Sequence, residues 1–101
     1  MKNLNEKEKA VVLECLKATA DGPFFDDDDF HILFGLDRNE IRKIIADFQN
    51  INDSDTLAMG VINDSINNLI GFPHNKWEIW DNYISISPDE LERLFKKWKA
   101  K

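Results

Sequence analysis

One cysteine, four glycines and three prolines in 101 residues leave little material for several kinds of protein. The single thiol, Cys15, can form no internal disulfide and rules out a zinc site built on several thiolates. It lies inside an apolar helical pattern, where a free cysteine behaves as a small hydrophobe. No phosphate-cradling glycine loop or dinucleotide fingerprint is present, and neither Gly-x-Ser-x-Gly nor His-Glu-x-x-His occurs. The only histidines are His31 and His74, and a metal site would need both plus acids converging from distant elements. The expectation is therefore no catalytic residue, no cofactor and no metal. No apolar run approaches the roughly 18 residues of a membrane span. The opening MKNLNEKEKAVV also lacks the charged, then apolar, then small-residue plan of a secretory signal. The expected setting is cytoplasmic, without a membrane partner.

What is present suits one folded domain. Hydrophobic residues make up 43% of the chain and charged residues 32%, ordinary values for a globular protein with one core. The net charge is −6, and its placement is uneven. Residues 21–55 carry ten acids against Arg38, Arg42 and Lys43, whereas the last fourteen residues are mildly basic. A field of that kind repels nucleic acid and attracts basic partners.

The acidity centres on four consecutive aspartates, Asp26, Asp27, Asp28 and Asp29, set between Phe24–Phe25 and Phe30. Large apolar residues on both sides fix this run on a folded surface. An EF-hand register starting at Asp26 fails, because Phe30 and His31 fall where a ligand and a glycine are needed. The segment Asn52–Asp55 fails likewise, with Leu57 and Ala58 at the later positions. One or two of the aspartates serve to cap the helix that follows and suit its dipole. Four adjacent like charges exceed that need, and the surplus fits a basic partner.

Helical punctuation recurs along the chain. Asn5 with Glu8 reads as a capping box, and Val12, Leu13, Leu16 and Ala20 follow at helical spacing until Asp21–Gly22–Pro23. A short second helix is expected from about Asp28 to Phe34, ending at Gly35. Asp37 and Glu40 open a third, with Ile41, Ile44, Ile45 and Phe48 inward. Ser54 or Asp53 is positioned to cap a fourth, carrying Leu57, Ala58, Val61, Ile62, Ile66, Leu69 and Ile70 along one side. Beyond it, Asn75 is placed to cap a segment presenting Trp77, Trp80 and Tyr83 or Ile84. Tyr83–Ser87 alternates like a strand, but a lone strand has no pairing partner, so a short helix and an extended connection are expected. Ser87–Pro88–Asp89–Glu90 begins the last helix, with Leu91, Leu94, Phe95 and Trp98 as its apolar stripe. The fold class expected is all-α: a compact single domain, 1–101, of five or six short helices.

Helix two, the Gly35 turn and helix three resemble a DNA-binding helix–turn–helix over about 20 residues. The motif would use Arg38, Arg42 and Lys43 on its recognition helix. His31 stands where a small residue belongs, and Asp37, Glu40, Asp47 and the aspartate run oppose phosphate contact.

Two signatures carry a further resemblance: Gly22–Pro23–Phe24–Phe25 leading to Phe30-x-x-Leu33–Phe34–Gly35–Leu36-x-Arg38-x-Glu40–Ile41, and Asn67–Asn68–Leu69–Ile70–Gly71–Phe72–Pro73–His74. They resemble a family of small, all-helical bacterial proteins of uncharacterised activity, over most of the chain. That resemblance implies a compact helical domain and carries no activity. In type (small, acidic, helical, poor in cysteine) the chain is also similar to bacterial toxin-immunity proteins such as the four-helix inhibitors of colicin nucleases. The similarity implies a basic toxin as partner and transfers no functional residue.

The function expected is thus a protein-binding module, most specifically an immunity protein or antitoxin for a cognate basic toxin. Asp26, Asp27, Asp28 and Asp29 would face the partner, and Asp53 and Asp55 would extend the surface. Phe24, Phe25 or Trp77 would supply an apolar anchor. The alternatives are a nucleic-acid binder using helix three, and a small metal protein or enzyme using His31 and His74.

Overall fold

Reciprocal capping boxes fix three of the helix starts. Asn5 Oδ1 accepts from the Glu8 N–H at 2.8 Å, and Glu8 accepts from the Asn5 N–H at 2.9 Å. Asp37 with Glu40 and Ser87 with Glu90 repeat the arrangement, the latter with proline at the first turn. In the computed structural model, which describes residues 1–100, the chain forms α1 (Glu6–Asp21), α2 (Asp27–Phe34), α3 (Arg38–Ala46), α4 (Thr56–Gly71) and α5 (Pro88–Lys99). Short 3-10 helices occupy Phe48–Asn50 and Trp77–Asn82. No strand occurs among the described residues, so the fold is all-α. The Cα radius of gyration of 12.6 Å matches the roughly 13 Å of a compact domain this size.

The core forms where α1 packs on α3 and α4, with α4 also meeting α2 and α5. Val12, Cys15 and Leu16 of α1, Ile41 of α3, Ile62, Ile66 and Leu69 of α4 and Leu91 of α5 are fully buried. Burial pushes the Cys15 thiol pKa up, which keeps it protonated and unreactive. No helix is long and apolar enough to cross a membrane.

In α4 two details differ from the sequence expectation. The cap of α4 is Asp55, whose Oδ1 accepts from the Ala58 N–H at 3.0 Å. Asp53 instead faces the Met1 amino group, and Ser54 folds back onto Asn52 Oδ1, its N–H donating at 3.0 Å. Leu57 is 59% exposed rather than inward. The buried face of α4 is Ala58, Val61, Ile62, Ser65, Ile66 and Leu69. At 3.6 residues per turn Leu57 lies about 100° round the helix from the centre of that face.

The short helix is Trp77–Asn82, and the alternating Tyr83–Ser87 stretch is an irregular connection after it. Trp80, buried in the 77–82 helix, donates its indole Nε1–H to the Ile86 carbonyl at 2.8 Å. Glu14 of α1 accepts from both the N–H and the hydroxyl of Ser85, at 3.0 and 2.7 Å. These bonds do for the segment what a strand ladder would have done.

Candidate protein-binding surface

The last turn of α1 holds no basic residue to meet its outward-pointing carbonyls. Arg38, the first residue of α3, supplies that charge from elsewhere in the chain. Its Nη1 donates to the Thr19 and Ala20 carbonyls at 3.2 and 3.1 Å, and its Nη2 donates to the Phe25 carbonyl. Its Nε donates to Asp27 at 3.0 Å, and the guanidinium carbon lies 4.4 Å from the centre of the Phe30 ring. Arg42 stands beside it, with Nε and Nη2 reaching Asp21 Oδ1 at 2.8 and 2.7 Å and Nη1 reaching Asn39 at 2.6 Å. The two arginines of the helix–turn–helix-like segment thus tie α2 and α3 to the end of α1. Gly35, in the left-handed region at φ 68°, makes the turn between α2 and α3.

The aspartates divide by role. Asp26 is the N-cap of α2 in extended conformation, with no side-chain cap bond, and Asp27 is held by Arg38. Asp28 is exposed and Asp29 half-buried, and neither joins an ion pair among the described residues. Asp53 and Asp55 do not extend this group. Asp53 sits by Met1 and Lys2 near the start of α1, whereas Asp27 sits by Arg38 at its end. Sixteen residues of helix separate those ends by about 23 Å. Asp55 is further committed to capping α4.

Phe24 and Phe25 are not surface anchors: they are 2% and 3% exposed. Phe24 meets His74, Trp80 and Tyr83 edge-on at ring distances of 4.9, 5.9 and 5.5 Å. Phe25 meets Phe34 and Phe72 at 5.3 and 5.7 Å. Their burial is long-range packing against residues 72–83, and the DGPFF sequence alone gives no sign of it.

His74 is the hub of this aromatic core. Its Nδ1 accepts from the Lys76 N–H and its Nε2 lies 3.0 Å from the Leu69 carbonyl. That pair of partners fits the neutral ring protonated at Nε2, with both nitrogens engaged. Asn75, in the left-handed region at φ 59°, turns the chain between His74 and the 3-10 helix rather than capping it. His31 lies exposed on α2. Among the described residues no three of His, Cys, Asp and Glu gather as metal ligands would.

Around that core two rings reach solvent. Trp77 is 43% exposed and Tyr83 40% exposed. Trp77 lies 5.4 Å from Trp80, nearly parallel to it, and 4.4 Å from His74. In a 3-10 helix residues three apart share an edge. Trp77 and Trp80 therefore share one edge and Glu78 and Asp81 the next, while Tyr83, the C-cap, follows with its N–H donating to the Trp80 carbonyl at 3.0 Å. Both acids are exposed and unpaired among the described residues. The aspartate run starts one residue after Phe25, whose ring is 6.4 Å from His74, so the two acidic stretches border the same aromatic core.

Comparison with protein-family models, with curated proteins and with solved structures returns no match. The surface is therefore read from its own chemistry. Tyr83, Glu78 and Asp81 join it, and Phe24, Phe25, Asp53 and Asp55 leave it. The spacing of Trp77, Trp80 and Tyr83, with acids between them, was the available signal for the additions.

Proposed function

We propose that this chain is a protein-binding module for a basic protein, acting in the manner of an immunity protein or antitoxin toward a cognate toxin. The observation that carries the reading is the set of unpaired acids, Asp28 on α2 and Glu78 and Asp81 in the 77–82 helix that carries half-exposed Trp77. Unpaired surface carboxylates steer a cationic partner and raise its rate of encounter. A large ring among them gives such a complex apolar contact area. A toxin acting on RNA or DNA presents cationic residues for phosphate, which suits it to this surface. The two arginines a nucleic-acid binder would use are engaged within the fold, so no observation favours that alternative.

The test is capture of a partner by the tagged chain from its source cells, followed by assay of the captured protein for nuclease or other toxic activity with and without the chain. The reading expects a basic protein whose activity the chain suppresses. Asp28→Asn with Asp29→Asn should weaken the complex while sparing the Asp27–Arg38 pair. Failure to recover any basic partner, or suppression indifferent to those substitutions and to salt, would count against it.

A further inference from the structure

Trp77 and Tyr83 are not loose surface aromatics. The base of Trp77 rests on buried Trp80 and on His74, and both supports are fixed by hydrogen bonds. Tyr83 stands edge-on to buried Phe24. Rings held in this way lose little freedom on binding, which is how a few aromatic residues come to dominate an interface.

The neighbouring charges select the occupant. Glu78 and Asp81 lie along the next edge of the 3-10 helix that carries Trp77, and Lys76 is the one cation of residues 76–83. A purely apolar partner would strip water from two carboxylates without replacing it. An anionic partner would be repelled. An arginine satisfies rings and acids alike, since its guanidinium stacks on an aromatic face and its N–H groups match a carboxylate.

Resting on the protein-binding reading, we propose that Trp77 and Tyr83, with Glu78 and Asp81, form the docking centre for arginine side chains of the basic partner. The Asp26–Asp29 run then lies to one side and steers approach. The contact is stacking plus charge-assisted hydrogen bonding, so its strength depends on the rings as well as on the acids.

The probe is a capped hexa-arginine peptide, titrated against the full chain by calorimetry, with hexa-lysine as comparison. Hexa-arginine should bind more tightly than hexa-lysine. Trp77→Ala and Tyr83→Ala should each weaken it about tenfold, the scale of one desolvated cation–π contact. Trp77→Phe, which keeps a ring on the Trp80 platform, should recover part of the loss and serves if the alanine variant unfolds. Glu92→Gln on α5 should leave binding unchanged. Equal binding of the two peptides, or full binding by the Trp77→Ala/Tyr83→Ala double variant with loss only on Asp28→Asn, would overturn the docking centre and leave the acidic protein-binding reading standing. A dimer of the chain that dissociates on Trp77→Ala would also overturn it, because the patch would then be covered by a second copy. Loss of partner capture with peptide binding intact would instead tell against the function proposed above.

Discussion

Two neighbouring corners of the molecule treat charge in opposite ways. Where α2 and α3 meet the end of α1, Arg38 and Arg42 are matched by Asp27, Asp21 and three backbone carbonyls. In and just after the 77–82 helix, Glu78 and Asp81 have no such partners and two rings, Trp77 and Tyr83, stand half out of the core. Both corners pack on the Phe24–Phe25 segment, one through its carbonyl and the other through its rings. The difference teaches that charge density in a sequence does not locate a binding surface. At the charge-rich corner both arginines are spent within the fold and Asp28 and Asp29 are left unpaired among the described residues, whereas the less conspicuous one offers rings as well as acids.

The contrast breaks first at Arg38. Arg38→Ala strands the Thr19, Ala20 and Phe25 carbonyls and should cost about 3 kcal/mol in urea denaturation. Arg38→Lys should rescue little, since an ammonium cannot span that fork of acceptors. Trp77→Ala should cost nearer 1 kcal/mol, because only about half of the ring is covered. Equal losses for the two substitutions would erase the distinction between a structural and a displayed corner.

Glycines sharpen it at smaller scale. A Cβ on Gly22 would stand 2.5 Å from the Ala18 carbonyl oxygen, so Gly22→Ala should destabilise by about 2 kcal/mol. Gly35→Ala meets no neighbour but must keep a left-handed backbone, at a cost of about 1 kcal/mol. Gly60 lies within α4 facing open space, and there Gly60→Ala should stabilise by about 0.7 kcal/mol. Thermal melts of the three variants give the order directly.

The smallest effect is a pH dependence away from both corners. Lys97 and then the Asn5 N–H hold the Glu8 carboxyl below its ordinary pKa, and the Ser87 bonds do the same for Glu90. A carboxylate depressed in the folded state contributes stability that is full above the unfolded value, about 4.3. That contribution disappears as pH falls through the lowered folded values. Melting temperature should fall below pH 4, less steeply in Glu8→Gln, and an unchanged slope would remove Glu8 from the account.

The parts of this fold legible in the sequence are those decided locally. Capping boxes at Asn5, Asp37 and Ser87 act over three residues, and the inward faces of α1, α3 and α5 follow helical spacing. What escaped was long-range. Arg38 serves carbonyls 18 and 19 residues back, and Phe24 is covered by residues 74–83, neither of which spacing within one element reveals. Asp53 was misplaced for the same reason, since its partner lies at the start of the chain. Tyr83 escaped as a surface residue because its half-exposure is set by where the 3-10 helix ends and by packing against Phe24, which spacing within the segment does not reveal.

An amide NMR titration of the labelled chain with capped hexa-arginine tests the central claim most directly. The account predicts shifts concentrated at residues 26–29 and 76–84, with the Trp77 indole N–H among the largest and the Arg38 Nε–H unmoved. Shifts centred on α3, or spread evenly over remote acids such as Asp47, Asp53 and Asp89, would contradict it.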